Sequence, residues 1–365
     1  MKIAYDAKRF FQNSSGLGNY SRDLVRMLSQ YYPENQYLLL NKKKTEKGQN
    51  ILEREEVKFI KTSKGKFARQ FKMGIDAQNA DADIFHGLSG EIPLKWNHKT
   101  IKKIVTIHDL IFMRYPEFYS FFDRKIHFWK FKKAAHSADL VIAISEQTKQ
   151  DVMHYLGVSE DKIKVVYQGC HNAFKEFISE ERKKKITEKY HLPKHFILNV
   201  GTIEDRKNLL NVVKALRNEN IPIVAVGRKT NYYKKIISEI KSYNQEVIFL
   251  ENIPMEELAV FYRLADVFIY PSLFEGFGIP VIEALYSETP VITSNVSCLP
   301  EAGGAYSMYV NPESIEDIKA KILFLWNNEA ERKRRAEKGL EYVQKFNDEK
   351  IARQIMAIYR KILSL

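Results

Sequence analysis

The stretch Phe268-Ile-Tyr-Pro271-Ser-Leu-Phe-Glu275-Gly276-Phe-Gly278-Ile-Pro280-Val-Ile-Glu283-Ala284 decides how this chain is read. Its opening residues are β-branched or aromatic, Pro271 closes the strand, two glycines mark a loop, and Pro280 stands where a helix begins. Glycine lets backbone approach a ligand closely, and the N–H groups of a helix N-terminus favour anions such as a diphosphate. Glu275 is expected on the loop and Glu283 in the first helical turn, so the two carboxylates reach two parts of one ligand. A capping carboxylate and an ordinary βα turn would explain either glutamate alone, but they explain the whole run poorly.

Outward from this stretch, short apolar runs alternate with segments of helical period, the pattern of a parallel α/β sheet. In the first half the strand candidates are residues 2–6, 36–40, 57–60, 84–86, 104–108, 140–144 and 163–166, with helices over 19–31, 119–135 and 146–156. A lysine-rich segment ending at Pro193 reads as a linker with a solvated helix. The alternation then restarts, with strands at 196–200, 223–226, 246–250, 267–270 and 291–293. The stretches 314–345 and 348–363 are helical in period. The expected domains are residues 1–175, a linker at 176–194, residues 195–345, and a final helix over 346–365. Two doubly wound halves place ligands at the C-terminal ends of their strands and in the cleft between them.

At 365 residues the chain is long enough for two domains, each with a real core. Two cysteines, Cys170 and Cys298, are too few for a disulfide scaffold and lack the spacing of a zinc site, which favours a cytoplasmic location. The first apolar run is interrupted by Asp6, Lys8 and Arg9, which predicts no signal peptide, and none reaches the roughly 18 residues of a membrane span. The net charge of +13 is lopsided: residues 1–175 hold 30 Lys and Arg against 19 Asp and Glu. A basic half suits nucleic acid, an anionic membrane surface or an anionic acceptor, or is only a soluble surface.

Four further constellations carry possible chemistry. Asn199-Val-Gly201-Thr-Ile-Glu-Asp-Arg206-Lys207-Asn208 puts two adjacent cations after a strand, where Arg binds phosphate bidentately and Lys acts as a point charge. Ser15-Gly16-Leu17-Gly18-Asn19 is not the dinucleotide fingerprint, because Ser21 stands where G-x-G-x-x-G needs its last glycine. A loop closing over a phosphate or an acceptor and a plain helix N-terminus fit it equally. His108-Asp109 and His86-Gly87 end strands at the sheet's C-terminal edge. Asp81-Ala82-Asp83 matches a D-x-D metal motif but precedes its strand, at the wrong edge.

Together these residues resemble a retaining family-4 glycosyltransferase of GT-B fold. The E-x7-E element from Glu275 to Glu283 carries the resemblance, supported by Gly201 to Asn208, Thr289-Pro-Val-Ile-Thr and Pro300-Glu-Ala-Gly303-Gly304. It implies an α/β chain of two Rossmann-like domains facing across a cleft, with the final helix crossing back to the first. The second domain would bind a nucleotide-diphosphate sugar, and the basic first domain a glycan or polyprenyl-pyrophosphate-linked acceptor.

Carried over by residue, Glu275 resembles the carboxylate on the donor sugar's hydroxyls, and Glu283 the ribose ligand. The N–H groups of Phe277, Gly278 and Ile279 would meet the sugar and phosphates. Arg206 and Lys207 would neutralise the diphosphate, with Gly16, Gly18 and Gly201 close to the donor. His108 resembles the first-domain histidine near the transferred sugar, and Asn19, His86 and Asp109 are expected on the acceptor. Many relatives carry arginine where this chain has Thr202, and Arg206 would supply that charge.

The resemblance implies hexosyl transfer with retention, in surface polysaccharide or lipopolysaccharide assembly, with mannose the favoured sugar. It calls for no cofactor, no metal and no nucleic acid, and for a cytoplasmic location that leaves room for peripheral contact with anionic inner-leaflet lipids at the cytoplasmic face of the membrane. The alternatives are a nucleic-acid-binding α/β protein using the basic half and a sugar-nucleotide epimerase. An oxidoreductase would need a tight G-x-G-x-x-G turn after a first strand, and neither half has one.

Overall fold

The computed structural model describes residues 1–13, 16–65, 67–96, 101–241 and 245–364. The chain divides into two units, Met1–Gly169 with Phe346–Leu365, and Cys170–Lys345.

In the first unit seven strands form one sheet: β1 (Lys2–Asp6), β2 (Gln36–Asn41), β3 (Val57–Lys61), β4 (Ile84–Gly87), β5 (Lys102–Ile107), β6 (Leu140–Ala143) and β7 (Ile163–Val165). They lie in the order β3-β2-β1-β4-β5-β6-β7, and every pair is parallel. The order reverses between β1 and β4, which opens a crevice at their C-terminal ends. Along β1, Ile3 and Tyr5 enter one core while Ala4 enters the other. Both faces are covered, as a parallel sheet requires.

The helix Asp348–Leu363 closes one face, burying Ile351, Ala352, Ile355, Met356, Tyr359 and Ile362 among β1, β2 and the helix Gly16–Tyr31. Each of its larger side chains contributes about 1.5–3 kcal/mol of transfer free energy. The Asn347 side chain caps its first turn, and Asp348 pairs with Arg26 at 2.8 Å.

The second unit repeats the plan with β8 (Ile197–Val200), β9 (Ile223–Val226), β10 (Val247–Leu250), β11 (Val267–Tyr270), β12 (Val291–Ser294) and β13 (Met308–Val310). Its order is β10-β9-β8-β11-β12-β13, again all parallel, and the reversal falls between β8 and β11.

Several expectations are corrected here. Residues 176–194 are no spacer: they belong to the second unit, where the helix Glu180–Tyr190 docks on Met255–Leu264 through Lys189–Glu257 at 2.8 Å and Tyr190 on Phe261. The single helical stretch 314–345 is two helices, Ile315–Trp326 and Glu329–Val343, because the Asn328 side chain caps the second by accepting from the Glu331 N–H. β13 has only three residues, too short for its alternation to stand out.

Candidate functional site

In the second unit both halves of the site sit at the β8/β11 reversal. After β8 the chain turns through Gly201, at φ 148°, and the Lys207 stem passes 3.6 Å from where a Cβ at 201 would stand. Asn208 in the left-handed region ends the short turn Asp205–Lys207, and its side-chain amide donates to the carbonyls of Pro271 and Pro312. That ties the turn carrying both cations to the loop that follows β11. There Ser297 clamps Glu275, accepting from its N–H and donating to its carbonyl at 2.7 Å, while Cys298 Sγ donates to the same carbonyl.

Three donors therefore converge on Glu275 Oε1: Lys207 Nζ at 2.6 Å, Arg206 Nη1 at 2.8 Å and the Tyr270 hydroxyl at 3.0 Å. Lys207 also donates to the Tyr270 hydroxyl, and Arg206 to the Phe274 carbonyl and to Glu204 at 2.7 Å. Burial pushes the Glu275 carboxyl up, but Lys207 and Arg206 outweigh it and bring it down to about 2. Burial pulls Lys207 below an ordinary lysine against the attraction of Glu275. Arg206 is held above its usual value, the charge of Glu275 overcoming burial. Near neutral pH Glu275 is therefore ionised, in contact with Lys207 and Arg206.

The helix Ile279–Tyr286 opens beside this loop. Gly278 caps it at φ 99°, where a Cβ would also come within 2.9 Å of Leu299. The N–H groups of a first turn have no partner inside the helix, so Gly278 and Ile279 begin a segment suited to an anion. Glu283 lies in the second turn, not the first, because the helix starts at Ile279. It is buried and accepts from the Tyr262 hydroxyl at 3.0 Å.

In the first unit, His108 follows β5 directly. Its Nε2 lies 2.9 Å from the Leu88 carbonyl and its Nδ1 3.1 Å from the Gln168 amide nitrogen, with Tyr20 edge-on at 4.6 Å. A carbonyl only accepts and an amide nitrogen only donates, so the proton is assigned to Nε2 and the ring is neutral. Burial takes its pKa down to about 4, against the pull of the Leu88 carbonyl, and the charge of Arg9 adds to the drop. Asp109 accepts from the Ile111 N–H and opens the short helix Ile111–Arg114.

His86 corrects the expectation that it meets an acceptor. It is fully buried, its Nδ1 2.7 Å from the Tyr359 hydroxyl and its Nε2 2.8 Å from Thr106 Oγ1. Tyr5 and Tyr20 extend the chain at either end, so the ring belongs to the seam between the sheet and the C-terminal helix. Burial lowers its pKa to about 3.

The glycine segment is also helix and not loop from Gly16 onward; Ser15 lies outside the described residues. Gly18 is buried, and only glycine fits there, since a Cβ would stand 2.1 Å from the Asn13 carbonyl oxygen. Arg22 holds this corner, donating to Phe10 and Asn13 carbonyls and to Asn19 Oδ1. Asp81 and Asp83 sit before β4, with Asp83 accepting from the Lys2 N–H.

Tyr270, Ser297, Tyr262 and Gln168 were not among the residues singled out from sequence. Tyr270 lies in the decisive stretch itself, yet its position at a strand end does not tell which way its hydroxyl points.

Residues 15–173 match the family model described as Glycosyltransferase Family 4, and residues 179–342 the one described as Glycosyl transferases group 1. The chain is 25% identical over 299 residues to O-antigen chain mannosyltransferase B of Escherichia coli, covering 76% of this chain and 74% of that one. It is 28% identical over 236 residues to the E. coli serotype-specific mannosyltransferase WbdA, covering 60% of this chain and spanning 28% of the length of WbdA. The crystal structure of Anabaena HepE with UDP and glucose superposes with a TM-score of 0.77 at 17% identity, covering 99% of this chain and 100% of that one. At that identity the likeness speaks for the fold, the pair of Rossmann-like units called GT-B. The nucleic-acid and epimerase alternatives are not favoured.

Proposed function

This chain belongs to glycosyltransferase family 4, and on that premise we propose that it moves a hexosyl group from a nucleotide-diphosphate sugar to a glycan or lipid-linked acceptor with retention of configuration. The observation that carries the reading is the cluster of Lys207, Arg206 and Glu275 at the β8/β11 reversal, beside the helix that opens at Ile279. A departing diphosphate gains negative charge as the bond to the anomeric carbon breaks. Fixed cations and helix N–H groups stabilise such charge without reorganising.

Glu275 serves to position the donor. A carboxylate held near 2 by two cations is a weak base and a weak nucleophile, which supports hydrogen bonding to sugar hydroxyls over attack on the anomeric carbon. The electron pair of the broken bond stays on the diphosphate oxygen. The acceptor oxygen forms its new bond on the same face of the sugar and gives its proton to that leaving oxygen. His108, neutral and with both nitrogens engaged by Leu88 and Gln168, transfers no proton in this scheme; its ring is assigned to the wall beside the transferred sugar. Glu283 is assigned to the ribose, Asn19 and Asp109 to the acceptor side. Lys207 and Arg206 take the place of a metal, so turnover persists in EDTA.

The mannosyltransferases among the relatives, one of them an O-antigen chain enzyme, support a mannosyl donor and a role in surface polysaccharide assembly. No helix among the described residues is long and apolar enough to cross a membrane, so contact with lipid would be peripheral. A thermal-shift screen against UDP, GDP and ADP identifies the base, since the nucleotide that binds raises the melting temperature by mass action. Unchanged turnover in both Lys207→Ala and Glu275→Ala would overturn the assignment of the site.

A further inference from the structure

We propose that Ser297 is a positioning residue for sugar transfer: through the main chain of Glu275 it keeps that carboxylate on the donor sugar while the diphosphate competes for the surrounding cations. This role rests on the preceding reading, in which Glu275 meets the hydroxyls of the donor sugar.

The loop between β11 and the helix Ile279–Tyr286 is pinned from two sides. On one side stands the turn that carries the cations. The Leu273 N–H donates to the Arg206 carbonyl at 2.9 Å, and the Arg206 guanidinium donates to the Phe274 carbonyl at 2.7 Å. On the other side stands the turn after β12, fixed in its own place by the Asn295 N–H, which donates to the Val310 carbonyl at 3.0 Å. There Ser297 Oγ accepts from the Glu275 N–H at 3.2 Å and donates to the Glu275 carbonyl at 2.7 Å, while Cys298 Sγ donates to that carbonyl at 3.1 Å. A carbonyl oxygen accepts two hydrogen bonds and an N–H donates one, so both main-chain groups of Glu275 are committed to this turn. Leu299, next in the chain, lies against Gly278, so the same turn also props the start of the helix.

An ordinary turn does not account for this serine. Ser297 sits at φ 60°, in the left-handed region that glycine enters freely and serine does not. Backbone strain of this kind persists where the surrounding contacts demand it, and here the hydroxyl meets both main-chain groups of one residue. The side chain of Glu275, by contrast, is held at Oε1 by Lys207, Arg206 and Tyr270, and the first two are the cations assigned to the diphosphate. An arriving diphosphate draws on those same donors and loosens their hold on the carboxylate. The bonds from Ser297 and Cys298 run to the main chain and escape that competition. With donor bound, they keep Glu275 in register with the sugar.

Ser297→Gly tests this, since glycine adopts the same φ without strain and only the hydroxymethyl group is lost. It is expected to lower kcat about 10- to 100-fold, the cost of a catalytic group displaced by about 1 Å. Stabilisation by UDP or GDP, whichever the protein binds, should be unchanged, because both cations and the helix start remain. In a Glu275→Ala background, adding Ser297→Gly is expected to cost less than about twofold more, because the carboxylate it positions is gone. A merely structural serine would slow both backgrounds alike. Cys298→Ala, which removes the second donor, is expected to slow transfer more than Cys298→Ser, which keeps one. In the unmodified protein saturated with UDP or GDP, the Glu275 amide should stay protected from hydrogen exchange, a readout that serves even if Ser297→Gly fails to fold.

Unchanged kcat in Ser297→Gly, an equal loss in both backgrounds, or a Glu275 amide that exchanges freely in the nucleotide complex would each overturn the proposal and leave the donor site standing. Unchanged transfer in Glu275→Ala would instead overturn the reading of the donor site, and this role with it.

Discussion

The cluster around Glu275 and the network around His86 and His108 occupy equivalent places, near the C-terminal ends of central strands in parallel sheets, and burial has opposite outcomes in them. In the second unit a buried carboxylate stays charged, since two cations and a tyrosine hydroxyl converge on one oxygen. In the first unit the buried His86 and the partly buried His108 stay neutral, because hydroxyls, a carbonyl and an amide surround them. Both units share one strand plan, so topology places these sites but the neighbouring side chains decide whether a buried group carries charge. The ionic site suits a leaving diphosphate, whereas the imidazoles of the neutral network are already engaged by protein partners.

The sharpest way to break this contrast is to remove its charges. Lys207→Ala or Glu275→Ala is expected to reduce transfer from the sugar nucleotide about 100- to 1,000-fold, the usual cost of losing a preorganised electrostatic group. Steady-state kinetics checks it, and a fall in kcat larger than any rise in KM would place the loss in the transition state.

Acid separates the two regions next. The folded histidines titrate near 3 and 4, below the ordinary value of 6.5, so between these limits the unfolded chain binds more protons than the folded one. Their contribution is fully present above pH 6.5 and is lost as pH falls towards 4 and 3, weakening the first unit at pH 4.5 by about 2.5 kcal/mol for each histidine, about 5 kcal/mol for the pair. Glu275 is depressed from 4.5 to about 2, so its contribution is lost only as pH falls through that lower window. Hydrogen exchange at pH 7.5 and 4.5 should show β4 and β5 losing protection before β8 and β11. The reverse order would contradict the assignment of neutral imidazoles.

Tyr359→Phe removes the hydroxyl that faces both His86 and Tyr5. It is expected to cost about 1–2 kcal/mol in equilibrium unfolding, mainly by leaving buried partners unsatisfied. The smallest effect is expected for Tyr270→Phe, which leaves both cations on Glu275 and deletes one hydroxyl. At about 0.5–1.5 kcal/mol for such a bond, transfer should fall by roughly tenfold at most. A loss as large as that of Lys207→Ala would show that the tyrosine touches the reacting groups.

How much of this was legible depended on distance along the chain. Glu275, Gly278 and Pro280 lie within six residues, and their chemistry is local: a strand end, a turn, a helix start. Arg206 and Lys207 were found in the same way. Ser297, which clamps Glu275, comes 22 residues later with no signature in its own neighbourhood. His86 was misread because a strand end does not reveal what covers it, and the helix that covers it carries Tyr359, 273 residues further on. Gly18 was read for a ligand, whereas the Asn13 carbonyl already demands it. The helix Phe121–Ser137 showed its aromatic and charged residues in the sequence, but only its packing reveals which aromatic residues remain outside.

The sequence by itself determined that this is a two-part α/β chain, that charge concentrates in its first half, and that its second half carries an acidic, glycine-bearing turn and, separately, an adjacent cation pair. These follow from periodicity and turn chemistry, which act over a few residues. Tertiary structure alone decided that β1 and β4, and β8 and β11, are neighbours, and so where each crevice opens. It also decided which titratable groups are charged, because a pKa depends on burial and on partners brought together from distant segments.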